Sequence, residues 1–146
     1  MHGMASTRSA INRASEPRYD IEGLIAAIDG VPTVTDSVAV RRRSRDFFWY
    51  SPILNAQLAG KTADILVAPR DESDVVRVAA ACARLRIPLT VRAGGTGNYG
   101  QAVPLEGGVL LDVTSLKRIE WHRPGLMRVQ AGASGISNAV MMPVVP

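Results

Sequence analysis

Val91-Arg92-Ala93-Gly94-Gly95-Thr96-Gly97-Asn98-Tyr99-Gly100 is the stretch whose reading decides the fold. Four glycines within seven residues leave main-chain N–H groups without flanking Cβ atoms, the arrangement that lets a backbone close on a phosphate. Gly95 to Gly100 also fits G-x-G-x-x-G, and Glu120 stands twenty residues past Gly100, where the ribose-binding acid of a dinucleotide fold would be sought. That fingerprint works only if a helix opens at the last glycine. Pro104 and the Gly107-Gly108 pair forbid one, so the stretch reads as a phosphate cradle of another kind.

The surrounding chain supplies the frame for such a cradle. Asp64-Ile65-Leu66-Val67-Ala68 is a continuous apolar run, as in a strand covered on both faces, and Pro69 ends it. Asp71 is placed to cap a helix over residues 72–85, with Val75, Val78, Ala79, Cys82 and Leu85 on one face and Asp71, Glu72 and Asp74 at the positive end of its dipole. Residues 87–92 form a second strand, joined by a crossover long enough for a parallel β-α-β unit, and residues 108–112 form a third. Residues 119–121 and 127–130 make a hairpin-like pair around His122-Arg123-Pro124-Gly125. The fold class expected is α+β: a small, mainly parallel sheet flanked by helices, followed by the hairpin.

The chemistry of the loop follows from its residue types. A pyrophosphate needs several donors, which Gly94, Gly95 and Gly97 supply from the main chain, while Thr96 and Asn98 add side-chain donors. Arg92 stands where it either adds charge to that site or forms a structural ion pair. A tight turn between strands is the plain alternative for the whole loop, but four glycines exceed what a turn needs.

As one pattern, residues 62–135 resemble the FAD-binding domain of the vanillyl-alcohol oxidase / p-cresol methylhydroxylase (PCMH-type) family, which includes D-lactate dehydrogenases and the glycolate oxidase flavin subunit. The residues that carry the resemblance are Pro69 to Val76, Pro88 to Arg92 with the glycine loop, and Val103 to Asp112. It implies an FAD-dependent oxidoreductase acting on a small 2-hydroxy acid or alcohol. It also implies that the cofactor's pyrophosphate is held by Arg92, Ala93, Gly94, Gly95, Thr96 and Gly97, with Asn98 and Gly100 at the tail and Gly132 near the adenine. Covalent members bond the flavin to a histidine at the position of Thr96, so a threonine there implies non-covalent FAD. After Gly132 the resemblance fades, which implies a partial domain over residues 62–146. On that reading the chain is a fragment, a frameshift remnant with weak or no FAD binding and no catalysis, or a subunit completed by a downstream polypeptide. Catalytic residues are unassigned, and a small-molecule substrate belongs to a complete enzyme.

The rest of the chain is ordinary. Its 146 residues, 47% hydrophobic and 21% charged, match one soluble globular domain. The net charge of +4 is local, since Arg41, Arg42, Arg43 and Arg45 cluster at what reads as a solvated helix end. Nucleic-acid binding lacks any accompanying motif. The same run resembles a twin-arginine export signal, but residues 50–57 are too polar to follow one, and no run is long enough to span a membrane. A cytoplasmic location is the expectation. Residues 1–18 read as a disordered tail and residues 19–61 as a helical extension. Within that extension one helix begins at Tyr19 or Asp20 and buries Ile21, Leu24, Ile25 and Ile28, and a second is capped by Thr35 or Asp36 and runs to Val40. Phe47-Phe48-Trp49-Tyr50 is read as a core plug in preference to a flavin contact. Cys82 reads as a buried small hydrophobe, His122 as a surface residue, and no metal site is formed.

Overall fold

The computed structural model describes residues 18–134. The tail expected over residues 1–18 lies almost wholly outside them. The elements are α1 (Ile21–Ala27), β1 (Thr33–Val34), α2 (Ser37–Arg43), a 3-10 turn (Phe48–Tyr50), α3 (Pro52–Leu58), β2 (Ile65–Val67), α4 (Glu72–Leu85), β3 (Leu89–Arg92), β4 (Val109–Asp112), a second 3-10 turn (Val113–Ser115), β5 (Ile119–Arg123) and β6 (Leu126–Val129). Four strands form one sheet in the order β1-β2-β4-β3, and β5 pairs with β6 in a separate hairpin. β2, β3 and β4 are parallel, and β1 runs antiparallel to β2. The fold is α+β, with the small, mainly parallel sheet that the sequence implies.

Alternation along the two inner strands sorts the core into two layers. Ile65, Val67, Val109 and Leu111 face α1 and α4, where Leu24, Ile28, Val78, Ala81 and Cys82 complete one cluster. Leu66 and Leu110 face the other way, onto Val40 of α2 and Ala63. A change such as Leu110→Ala at this fully buried position costs about 2–5 kcal/mol in comparable cores. β4 lies between β2 and β3, so the β2-α4-β3 crossover skips one strand. All four residues of β4 are buried, whereas Val91 of the edge strand β3 is 55% exposed.

Helix starts follow their caps. Asp71 accepts from the Asp74 N–H at 2.9 Å and opens α4 at Glu72. Asp20 accepts from Gly23 N–H, and Asp36 from Ala39 N–H, each at 2.8 Å. α2 runs on past Val40 through Arg43, because cations in its last turn suit the helix dipole. Residues 19–61 hold β1 as well as helices, and α1 shares its core with α4, so this stretch is built into the same unit. α3 arises from Ser51 as cap and Pro52 in the first turn. The stripe on α4 shifts slightly, with Ala81 buried and Ala79 only partly so.

Candidate functional site

Parallel strands deliver their carboxyl ends to one edge of a sheet, where ligands of open α/β sheets bind. Here Arg92 at the end of β3 is the register partner of Asp112 at the end of β4. The glycine loop leaves from that edge. No helix follows it, since residues 101–108 form turns, and this removes the Rossmann reading. Glu120 sits on β5, where its carboxylate accepts from Arg118 at 3.4 Å.

The loop glycines serve different ends. Gly95 and Gly100 adopt φ of +63° and +82°, the left-handed region that favours glycine. A Cβ on Gly95 would stand on the Arg92 guanidinium, and one on Gly100 would strike Leu58 of α3. A Cβ on Gly97 would meet the Gln101 side chain at 2.5 Å. Gly94 differs: its φ lies outside the left-handed region, and a Cβ would meet only Thr96 Cγ2, at an ordinary 3.5 Å. Among the described residues, no N–H group of Gly94, Gly95, Thr96, Gly97 or Asn98 donates a hydrogen bond within the chain. Thr96 and Asn98 are exposed.

Of the two roles open to Arg92, the structural ion pair does not form. Its side chain forms no ion pair among the described residues, because Arg43 occupies Asp112, with Nε to Oδ2 at 2.8 Å. The Arg92 guanidinium instead donates from Nη1 to the Arg45 carbonyl at 2.7 Å, and its Nε is buried without a partner. Burial, and then Arg43, draw its pKa below the usual arginine value against the pull of Asp112 and Asp46. Asp46 is likewise buried: Oδ1 accepts from the Phe48 N–H at 2.9 Å and Oδ2 has no partner.

The aromatic segment divides. Phe48 alone is the core plug, at 1% exposure, while Phe47, Trp49 and Tyr50 are exposed and the last two stack at 3.9 Å between centroids. Phe47 N–H donates to the Gly97 carbonyl at 2.9 Å and so ties this segment to the loop. That contact, like the one between the Arg45 carbonyl and Arg92, is long-range, and the charge run around it concealed it in the sequence. Gly132 lies past the hairpin, where its N–H donates to the Leu116 carbonyl at 2.8 Å and a Cβ would strike the Val113 carbonyl oxygen. It is thus needed for a close backbone approach to Val113, Thr114 and Leu116. Cys82 is buried, which pushes its thiol pKa up, and His122 is exposed. Among the described residues no helix is long and apolar enough to cross a membrane. A groove of about 490 Å³ runs from Val75 and Val91 to Gln130 and Ala131, and none of residues 93–100 lines it. The unpaired N–H groups of the loop lie apart from this groove.

The FAD binding domain family matches residues 63–138. Glycolate oxidase subunit GlcD of Escherichia coli (strain K12) is 41% identical over 80 residues, 52% of this chain and 16% of that protein. The mitochondrial D-lactate dehydrogenase [cytochrome] of Arabidopsis thaliana is 27% identical over 74 residues, 51% of this chain and 13% of that protein. The chain therefore spans about a sixth of the length, or less, of these relatives. A berberine bridge enzyme structure superposes with a TM-score of 0.62 at 15% identity, over 81% of this chain and 26% of that one. Alkyldihydroxyacetonephosphate synthase gives 0.60 at 17% identity, over 73% and 22%. These two show the fold alone. With the family match covering residues 63–138, the chain belongs to the FAD binding domain family.

Proposed function

We propose that this chain forms the pyrophosphate-holding lobe of a non-covalent FAD site in an oxidoreductase that acts on a small 2-hydroxy acid or alcohol. The observation that carries the reading is Gly94. It is the loop glycine with neither a positive φ nor a crowded Cβ position, so its bareness serves something outside the chain. Beside it stand the free N–H groups of the loop, which fit a diphosphate. In this reading Arg92 to Gly97 surround the pyrophosphate, Asn98 and Gly100 close the loop, and Gly132 lies on the adenine side. Thr96 lacks a nucleophile able to tether the flavin ring, and Cys82 is buried in the core.

When bound, the flavin supplies the two-electron acceptor. The chain's own contribution is to bind and orient. Backbone N–H groups meet the diphosphate charge, Arg92 holds Gly95 and Arg45 in place, and Phe47 anchors the Gly97 carbonyl. The substrate class rests on what the relatives are named for, glycolate and D-lactate. A titration followed by flavin fluorescence tests the reading. FAD should bind saturably and be displaced by ADP, whereas riboflavin, which has no phosphate, should not compete. Riboflavin binding as tight as FAD would remove the loop from the account.

A further inference from the structure

We propose that a second anion site, distinct from the glycine loop, lies where Arg41, Arg45 and Lys61 converge on one cavity between the end of α2 and the turn after α3. The cavity measures about 370 Å³ and is walled by Phe48, Leu58 and Thr62 together with those three cations. No acidic side chain lines it. Among the described residues none of the three forms an ion pair, whereas their neighbour Arg43 is bound to Asp112. Lys61 also borders a neighbouring hollow that holds Asp64 and Glu106, where the Glu106 carboxylate accepts from Arg18.

Helix-dipole stabilisation accounts for Arg41 in the last turn of α2, but not for Arg45 or Lys61, which lie beyond helix ends. Three like charges around one hollow repel, and a bound anion turns that repulsion into attraction. Guanidinium forks match paired oxyanion oxygens, and an ammonium adds a mobile point charge. Arg45 also lies over the Phe48 ring, at 5.8 Å from its centroid, which restrains the guanidinium at the cavity wall. The volume falls within the range of small-ligand sites, about 300–1,000 Å³. The ligand class is therefore a compact oxyanion of two or more charges, such as a pyrophosphate-sized phosphoryl group. The proposal stands independently of the FAD reading. The Arg45 carbonyl accepts from Arg92, so the two sites adjoin through one side chain.

Inorganic pyrophosphate, titrated calorimetrically into the 146-residue chain at low ionic strength, is the probe. Because pyrophosphate also suits the glycine loop, three proteins are compared: wild type, Gly94→Ala, and Arg41→Gln combined with Lys61→Gln. Saturable binding should persist in Gly94→Ala and weaken by about tenfold or more in the double variant. The charge-conserving pair Arg41→Lys and Lys61→Arg should restore it. If the double variant loses its helical circular dichroism, Lys61→Gln alone carries the comparison, with a loss of about threefold or more. Unchanged affinity in the glutamine variants, loss in Gly94→Ala alone, or no saturable binding to wild type would each overturn the proposal.

Discussion

The Arg92 guanidinium lies against the Cα of Gly95, in the space that a Cβ there would fill. The side chain of the last residue of β3 therefore supports the loop that follows it, and glycine at position 95 is required by the chain itself. Gly95→Ala would displace the guanidinium and force an alanine to φ near +63°, at a cost of about 1–2 kcal/mol. Urea denaturation should show that loss. A midpoint unchanged from wild type would mean that the loop relaxes freely around position 95.

The arginine cluster should be unequal in its effect on stability. Arg43 binds buried Asp112 and sits 3.3 Å from Thr114 Oγ1, whereas Arg41 and Arg42 form no ion pair among the described residues. Arg43→Ala should cost about 1.5–3 kcal/mol, and Arg41→Ala or Arg42→Ala no more than about 0.5 kcal/mol. Equal effects from all three, measured by denaturation, would contradict the ion pair.

Acid should weaken the fold through Asp74. Hydrogen bonds from the Arg70 side chain and main chain, and then from Arg77, hold its carboxyl well below the usual carboxylate range. A group whose pKa is depressed on folding contributes stability that is full above the unfolded value, about 3.9, and is lost as pH falls towards the folded one. Asp74→Asn should therefore be less stable than wild type at pH 7 and lose less on acidification below pH 4. Parallel stability curves for the two proteins would rule out this linkage.

Much of the frame was legible because short-range rules set it. Asp71 as cap, the apolar stripe of α4 and the turn at Pro124-Gly125 each act within a few residues, and each appears where the sequence puts it. The glycine loop was legible for the same reason. β1 was not, since two residues beside Pro32 carry no periodicity and form a strand only by pairing with β2. α3 was hidden because its helix has no buried side chain and hence no apolar stripe to read. The contacts that hold the loop were also illegible: Arg92 reaches Arg45 across 47 residues, and Phe47 reaches Gly97 across a similar span. Nothing local in the sequence signals such a pairing.

Any flavin should leave on denaturation. Thr96 offers no bond to the ring, and Cys82, with its pKa raised by burial, lies in the core cluster. Acid precipitation of the FAD complex should release all the yellow colour to the supernatant. Flavin fluorescence on the polypeptide in a denaturing gel would overturn the non-covalent assignment.

These 146 residues alone should not turn over. Substrate must be placed beside the flavin with water excluded, and the cradle described here leaves Thr96, Asn98 and Tyr99 exposed. With excess FAD and an artificial electron acceptor, D-lactate and glycolate should give background rates. Substrate-dependent reduction that vanishes in Gly94→Ala would show that the chain suffices for catalysis.

The central claim is that the glycine loop holds the FAD pyrophosphate, and FAD affinity of Gly94→Ala against wild type measures it most directly. The Cβ added there meets only Thr96 Cγ2 at 3.5 Å, so the folded chain accommodates it and the denaturation midpoint should match or slightly exceed that of wild type. FAD affinity should nonetheless fall by about tenfold or more, roughly 1.4 kcal/mol, because the methyl group stands where a phosphate oxygen approaches. Equal FAD affinity in the two proteins, at equal stability, would contradict the account and reduce the loop to a turn.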